Sequence, residues 1–206
     1  MMLINLSHEF KENTTLFPGT DKPSIEQICT VREDEYSVFR LTYSNHIGTH
    51  LDVQGHMIEN GKLITDYHIS NFRGKGVVVD CRSEKVINKD LLIDKIEDVE
   101  FVLICSGFDK LYEDSKYFSN YPLFTEEAID YLIEKGIKGV GVDYISVDPI
   151  DSTDFKLHKK ILGEDIIIYE NLCNLDQLVG KDFNFLGFPL LYKGDGIPVR
   201  VVAEIL

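Results

Sequence analysis

The chain has 206 residues, with 21 basic against 35 acidic side chains, a formal net charge of −14 and 44% apolar residues. That length suits one domain spanning 1–206 with a sizeable core, and the acid excess argues against nucleic acid or an anionic membrane as a partner. Four cysteines without Cys-x-x-Cys spacing, an N-terminus without a basic region and the lack of a membrane-length apolar run point to reduced thiols and a cytoplasmic protein.

The first third reads as β-rich, with strands expected over 2–6, 26–31 and 37–43 and a Pro18-Gly19 turn between the first two. The densest chemistry follows: His46-Ile-Gly-Thr-His50-Leu-Asp52-Val-Gln-Gly-His56 holds half of the six histidines. Positions 46, 50, 52 and 56 share one parity, so an extended strand would point all four side chains to one face. A straight strand would still fail, because His46 and His50 would stand about 13 Å apart at roughly 3.3 Å per residue. Ligands of one metal ion must lie within about 4 Å of each other. The chain is therefore expected to bend, with Gly48 and Gly55 supplying the tight conformations. Imidazole and carboxylate together suit zinc, manganese or iron better than calcium or magnesium.

Further along, strands and helices alternate. A buried strand is expected over 76–81, a helix capped by Asn88 through Ile96, and a buried strand over 101–105. Thr125 can cap a helix over 126–135, with Ala128, Ile129, Leu132 and Ile133 on one face and Gly136 as its stop. Strands over 139–143, 165–170 and 197–205 complete the series, and His158 falls on a short helical stretch. The alternation implies an α/β fold with a mixed central sheet flanked by helices, the N-terminal strands adding to that sheet.

Glu170 ends the apolar run Ile166 to Tyr169, where a buried strand delivers a carboxylate, although a glutamate at a strand end is more often simply solvated. His8 reads as a structural hydrogen-bonding residue and His68 as a surface one. Asp143, Ser146 and Asp148-Pro149 read as turn formers. Tyr112, Tyr117, Phe118 and Tyr121 fit either a substrate lid or a plain surface loop.

Three segments in register resemble the bacterial kynurenine formamidase group of the cyclase family of metal-dependent hydrolases. They are His46 to His56, Gly141-Val-Asp-Tyr-Ile-Ser-Val-Asp-Pro149, and His158 followed twelve residues on by Glu170-Asn-Leu-Cys-Asn-Leu175. The resemblance covers essentially the whole chain. It implies two divalent metal ions, zinc foremost or manganese, with His46, His50 and Asp52 on one ion, His158 on the other, and Asp52 and Glu170 bridging both. His56 would be the catalytic acid/base, and Phe17 would meet the substrate's aryl ring. Gln54 stands where the family has a proline, and Phe17 where the kynurenine formamidases have a tryptophan.

The activity implied is hydrolysis of a small aromatic amide, N-formylkynurenine, to kynurenine and formate by metal-activated water. A homodimer or homotetramer is implied too. The alternatives are a hydrolase of another cyclic amide, lactone or ester, as in isatin ring opening, and a metal-bound ligand-binding protein without turnover.

Overall fold

The computed structural model describes residues 2–206. At its centre run four parallel strands, Arg73–Asp80, Phe101–Cys105, Gly139–Val142 and Ile167–Glu170, adjacent in that order. Parallel strands need cover on both faces, and their side chains alternate accordingly. Val102, Ile104, Val140, Val142 and Ile168 enter one apolar cluster with Ala128, Ile129, Leu132, Ile161 and Leu162 of the helices Glu126–Glu134 and Lys156–Gly163. Phe101, Leu103, Cys105, Ile167 and Tyr169 enter a second with Leu175, Leu178, Phe183 and Phe185. Each fully buried large apolar side chain contributes about 1.5–3 kcal/mol, so these two faces hold the sheet. Both helices lie on one face; 3₁₀ turns and loops cover the other.

The helix Glu126–Glu134 forms for the reasons its sequence announces. Thr125 Oγ1 accepts from the Ala128 amide at 3.1 Å, Glu126 and Glu127 complement the N-terminal dipole, and Gly136 leaves at φ +66°.

Antiparallel strands extend the sheet on both sides to nine. Phe183–Leu186, Val202–Ile205 and Met2–Asn5 add beyond Arg73–Asp80. His50–Asp52 and then Gly196–Pro198 add beyond Ile167–Glu170. Pro198, which has no amide to give to a ladder, sits on that edge strand. Pro198 and Val202 therefore belong to opposite flanks of the sheet yet are only four residues apart. Those residues span at most about 14 Å, so the sheet must curl until its flanks nearly meet. The Leu6 amide donates to Val201 O and the Cys173 amide to Leu6 O, at 2.9 and 3.0 Å, across that closure.

The α/β class and mixed sheet agree with expectation; four details do not. Ser24–Cys29 and Val38–Thr42 pair only with each other, as a hairpin outside the central sheet. Their apolar residues have no opposing layer, and every residue of Val38–Thr42 is exposed. The helix expected through Ile96 is a single 3₁₀ turn, Lys89–Leu91, which Asn88 does cap; Asp94 at φ +64° breaks any continuation. The strand expected over 197–205 is two strands, divided where the chain crosses the closure. Phe183–Leu186 was not expected, because a four-residue Phe-Asn-Phe-Leu run carries too little periodicity on its own.

Candidate metal centre

The bend in the histidine segment has the anticipated pivot at one glycine and a different cause at the other. Gly48 adopts φ +59°, a region a side chain would strain. Gly55 is not left-handed; it lies in the 3₁₀ turn Gln54–His56, where a Cβ would come within 2.7 Å of Leu63 Cδ2. Only His50–Asp52 is extended. It pairs antiparallel with Ile167–Glu170 so that His50 stands opposite Glu170 and Asp52 opposite Ile168. Residues opposite each other share a face, which sends His50, Asp52 and Glu170 to one place at the carboxyl end of a parallel strand. Ligand sites of such sheets form there.

The structure brings His46, His50, His56, His158 and Glu170 together around Asp52, which is 1% exposed. Asp52 Oδ1 lies 2.6 Å from His46 Nδ1 and 3.4 Å from His50 Nε2. Glu170 reaches His50 Nε2 at 3.6 Å through Oε2 and His158 Nε2 at 3.2 Å through Oε1. Among the described residues two groups offer donor atoms close enough to share an ion, His46–Asp52–His56 and His50–Asp52–Glu170, with Asp52 in both. His158 Nε2 stands 3.9 Å from Asp52 Oδ2.

Each inner histidine is held by its outer nitrogen. His50 Nδ1 donates to Gly48 O at 2.8 Å, and the same carbonyl accepts from Asn171 Nδ2 at 3.0 Å. His158 Nδ1 donates to Asp148 Oδ2 at 2.7 Å. These partners fix the tautomers and aim both Nε2 atoms inward. Asp148 is thus more than a turn former: it also accepts the Leu157 and His158 amides, both at 3.0 Å, and so caps the helix that carries His158. Asp143 too does more than form a turn: it is buried and takes the Ser106 and Gly107 amides. Burial pushes its carboxyl up to about 7 against those hydrogen bonds.

One residue of the centre escaped the sequence reading. Asp195 Oδ2 lies 3.3 Å from His46 Nε2 and 3.3 Å from His56 Nδ1, while Asn45 Nδ2 donates to its Oδ1 at 2.6 Å. The signal available was weak, an acid between Gly194 and Gly196 ahead of a strand. Gly196 is needed there, since a Cβ would come within 2.3 Å of His46 Cε1.

The electrostatics follow from the carboxylates. Burial opposes charge on His46, yet Asp52 and Asp195 outweigh it and raise the imidazole to about 10. His158 is likewise raised to about 10, with Asp148 and Glu170 overcoming its burial. Asp52 is held well below the usual carboxylate range: burial opposes this, but His50 and His46 prevail. Asp195 is held low by His46 and His56.

A cavity of about 360 Å³ opens onto these groups, walled by Phe17, Met57, Ile145 and Phe155. The expected position of Phe17 is thus at the site. A larger groove of about 530 Å³, lined by Phe10, Tyr43 and Arg200, offers His8 but no histidine–acid cluster.

His8 is structural, as expected, and its hydrogen bond comes from the backbone amide, which donates to Thr49 Oγ1 at 3.0 Å. Its ring stacks on Tyr112 at 3.7 Å, Nε2 is buried without a hydrogen-bond partner among the described residues, and burial lowers the imidazole to about 4. His68 is exposed, as expected. Tyr112, Tyr117 and Tyr121 form neither lid nor surface loop but are buried. Tyr117 donates to Asn171 Oδ1 and Tyr121 to Asp148 O, both at 2.8 Å, so they brace the residues that hold His50 and His158.

With this geometry the chain can be set against known proteins. Residues 4–149 match the family model Cyclase, described as "Putative cyclase". A kynurenine formamidase from Bacillus cereus is 32% identical over 204 residues, 97% of this chain and 95% of that protein. Isatin hydrolase A from Labrenzia aggregata superposes with a TM-score of 0.88 at 23% identity, covering 99% of this chain and 93% of that one. A structure titled as a potential metal-dependent hydrolase with cyclase activity gives 0.81 at 23% identity, with 98% and 96% covered. At those identities the two structures establish the shared α/β fold.

Proposed function

This chain belongs to the Cyclase family, and we propose that within it the protein is a metal-dependent amide hydrolase acting on a formylated aromatic amine of the N-formylkynurenine kind. The observation that carries this reading is Asp52, whose buried Oδ2 meets no hydrogen-bond donor among the described residues while three histidines and Glu170 converge on the same carboxylate. An unpaired buried carboxylate oxygen is costly, and a divalent cation is the partner its charge and the inward-aimed imidazoles fit. The carboxylates that raise His46 and His158 would favour a cation in place of those protons.

The donors suit zinc or manganese. Because Asp52 stands among His46, His50 and His158, and Glu170 between His50 and His158, two ions per chain are proposed, held by His46, His50, Asp52, His158 and Glu170. When bound, such ions supply an acidified water and polarise a carbonyl oxygen.

The remaining work falls to the chain itself. An amide nitrogen leaves poorly unless it is protonated, and His56 is the group available. Its Nδ1 is engaged by Asp195, which leaves Nε2 to take a proton from the attacking water and return it to the departing nitrogen. Asp195 keeps the ring in the tautomer that this exchange needs. The walls of the cavity exclude water and seat an aromatic ring.

Kynurenine formamidase is the name of the relatives that match across nearly the whole chain, which supports a formyl-anilide over a lactam. Loss of turnover has no support in a centre that keeps His56 beside Asp52 and Asp195. A panel of formyl-anilides, lactams and lactones presented to metal-supplemented protein tests the reading; preferential release of formate from the anilides is expected, and preference for a lactam or lactone would replace it. Assembly into a dimer or tetramer is proposed as well. It draws support from the hairpin, where Val31, Tyr36, Phe39 and Leu41 are all more than half exposed. Among the described residues no helix is long and apolar enough to cross a membrane, and a cytoplasmic location is proposed.

A further inference from the structure

Phe155 occupies a left-handed backbone conformation, φ 48° and ψ 48°, immediately before the helix Lys156–Gly163. For a bulky residue this is an outlier, and its position does not explain it. At a helix N-cap a side chain normally takes a first-turn amide, but Phe155 makes no such bond, and Asp148 caps Leu157 and His158 instead. Packing does not explain it either. The residue is half-buried yet belongs to neither apolar cluster, whereas Phe17, on the same cavity, packs on the core.

What Phe155 does touch is the site. It lines the cavity, its ring edge-on to the His158 imidazole with centroids 6.3 Å apart and planes at 83°. The strained backbone is pinned on both sides: the Phe155 amide donates to Ser152 Oγ at 3.1 Å, and its carbonyl accepts from the Lys159 amide at 3.0 Å. Strain maintained in this way gathers where the direction of a side chain matters to a ligand.

We infer that Phe155 is a specificity-determining residue whose ring receives the aryl group of the substrate, the left-handed backbone being retained because it turns that ring into the cavity. This rests on the aromatic-amide reading above. A ring with no core partner has its face and edge free for offset or edge-to-face contact with a second ring, which an alkyl group cannot match. Phe17 also lines the cavity but is committed to the core.

The test separates binding from turnover. Fluorescent 2-aminobenzoate is titrated into metal-supplemented wild type, Phe155→Gly and Phe155→Tyr, and the thermal midpoint of each is recorded. Glycine tolerates left-handed backbone, so Phe155→Gly is expected to melt no lower than wild type while binding the probe about tenfold more weakly; Phe155→Tyr should bind within about twofold of wild type. Unchanged binding in Phe155→Gly, failure of tyrosine to restore it, a lowered midpoint in Phe155→Gly or no binding by wild type would each overturn the inference. Because the titration needs no catalysis, failure to hydrolyse formyl-anilides would sink the proposed reaction without deciding this one.

Discussion

Asp195 and His56 meet through Oδ2 and Nδ1 at 3.3 Å, although 139 residues separate them in the chain. That contact leaves His56 one nitrogen to face a substrate, whereas His46, which Asp195 also meets, gives its other nitrogen to Asp52.

If His56 moves the proton, His56→Ala should keep its metal yet lose about 10² or more in kcat on a formyl-anilide. The loss should shrink on an activated ester, whose leaving group departs without full protonation. Asp195→Asn should show the same leaving-group dependence at about a tenth of the severity, because an amide still orients the ring but stabilises its charged form poorly. Rates on the anilide and ester, with elemental analysis of each variant, decide this. Equal losses on both substrates, or loss of metal from His56→Ala, would make His56 a ligand.

A second expectation concerns the fold alone. Thr125→Ala removes the hydroxyl that accepts the Ala128 amide and should cost about 1 kcal/mol, lowering the thermal midpoint by about 2–4 °C for a chain of this size. An unchanged midpoint would mean that packing of Ala128, Ile129 and Leu132 holds the helix without its cap.

Asp143 makes stability depend on pH. Its carboxyl is raised by burial from an ordinary 3.8 to about 7 in the folded protein, so between those values the unfolded chain has released a proton that the folded one retains. Stability contributed by protonated Asp143 is fully present below about pH 4 and is lost as pH rises toward 7. Denaturant unfolding of wild type and Asp143→Asn across this range should show wild type losing ground to the variant as pH increases. A difference that stays constant with pH would contradict it.

The site was legible where chemistry and local geometry coincide. His46, His50, Asp52 and His56 lie on one short segment, and Gly48 between the first two signals the bend that a shared ion demands. Glu170 ends an apolar run that pairs with that segment. Asp195 was not legible, because its place depends on Gly196–Pro198 joining the edge of a curled sheet, a contact no local pattern encodes. The buried tyrosines were hidden for another reason. Tyr112, Tyr117 and Tyr121 lie in a polar stretch that reads as surface, yet each hydroxyl finds a partner in Thr14, Asn171 or Asp148, so burial leaves no orphaned group. The 88–96 segment had a valid cap but no continuation past Asp94. The hairpin has strand periodicity without a layer to cover it.

Asp52 holding metal is the central claim, and metal depletion tests it most directly. Exhaustively chelated protein should hydrolyse no formyl-anilide, and titration with zinc or manganese should restore formate release, saturating at up to two equivalents per chain by elemental analysis. In the same measurement Asp52→Ala and Glu170→Ala should retain less metal than His158→Ala, since each acid stands between two histidines of the centre. Full activity in protein shown to be free of metal would contradict the account.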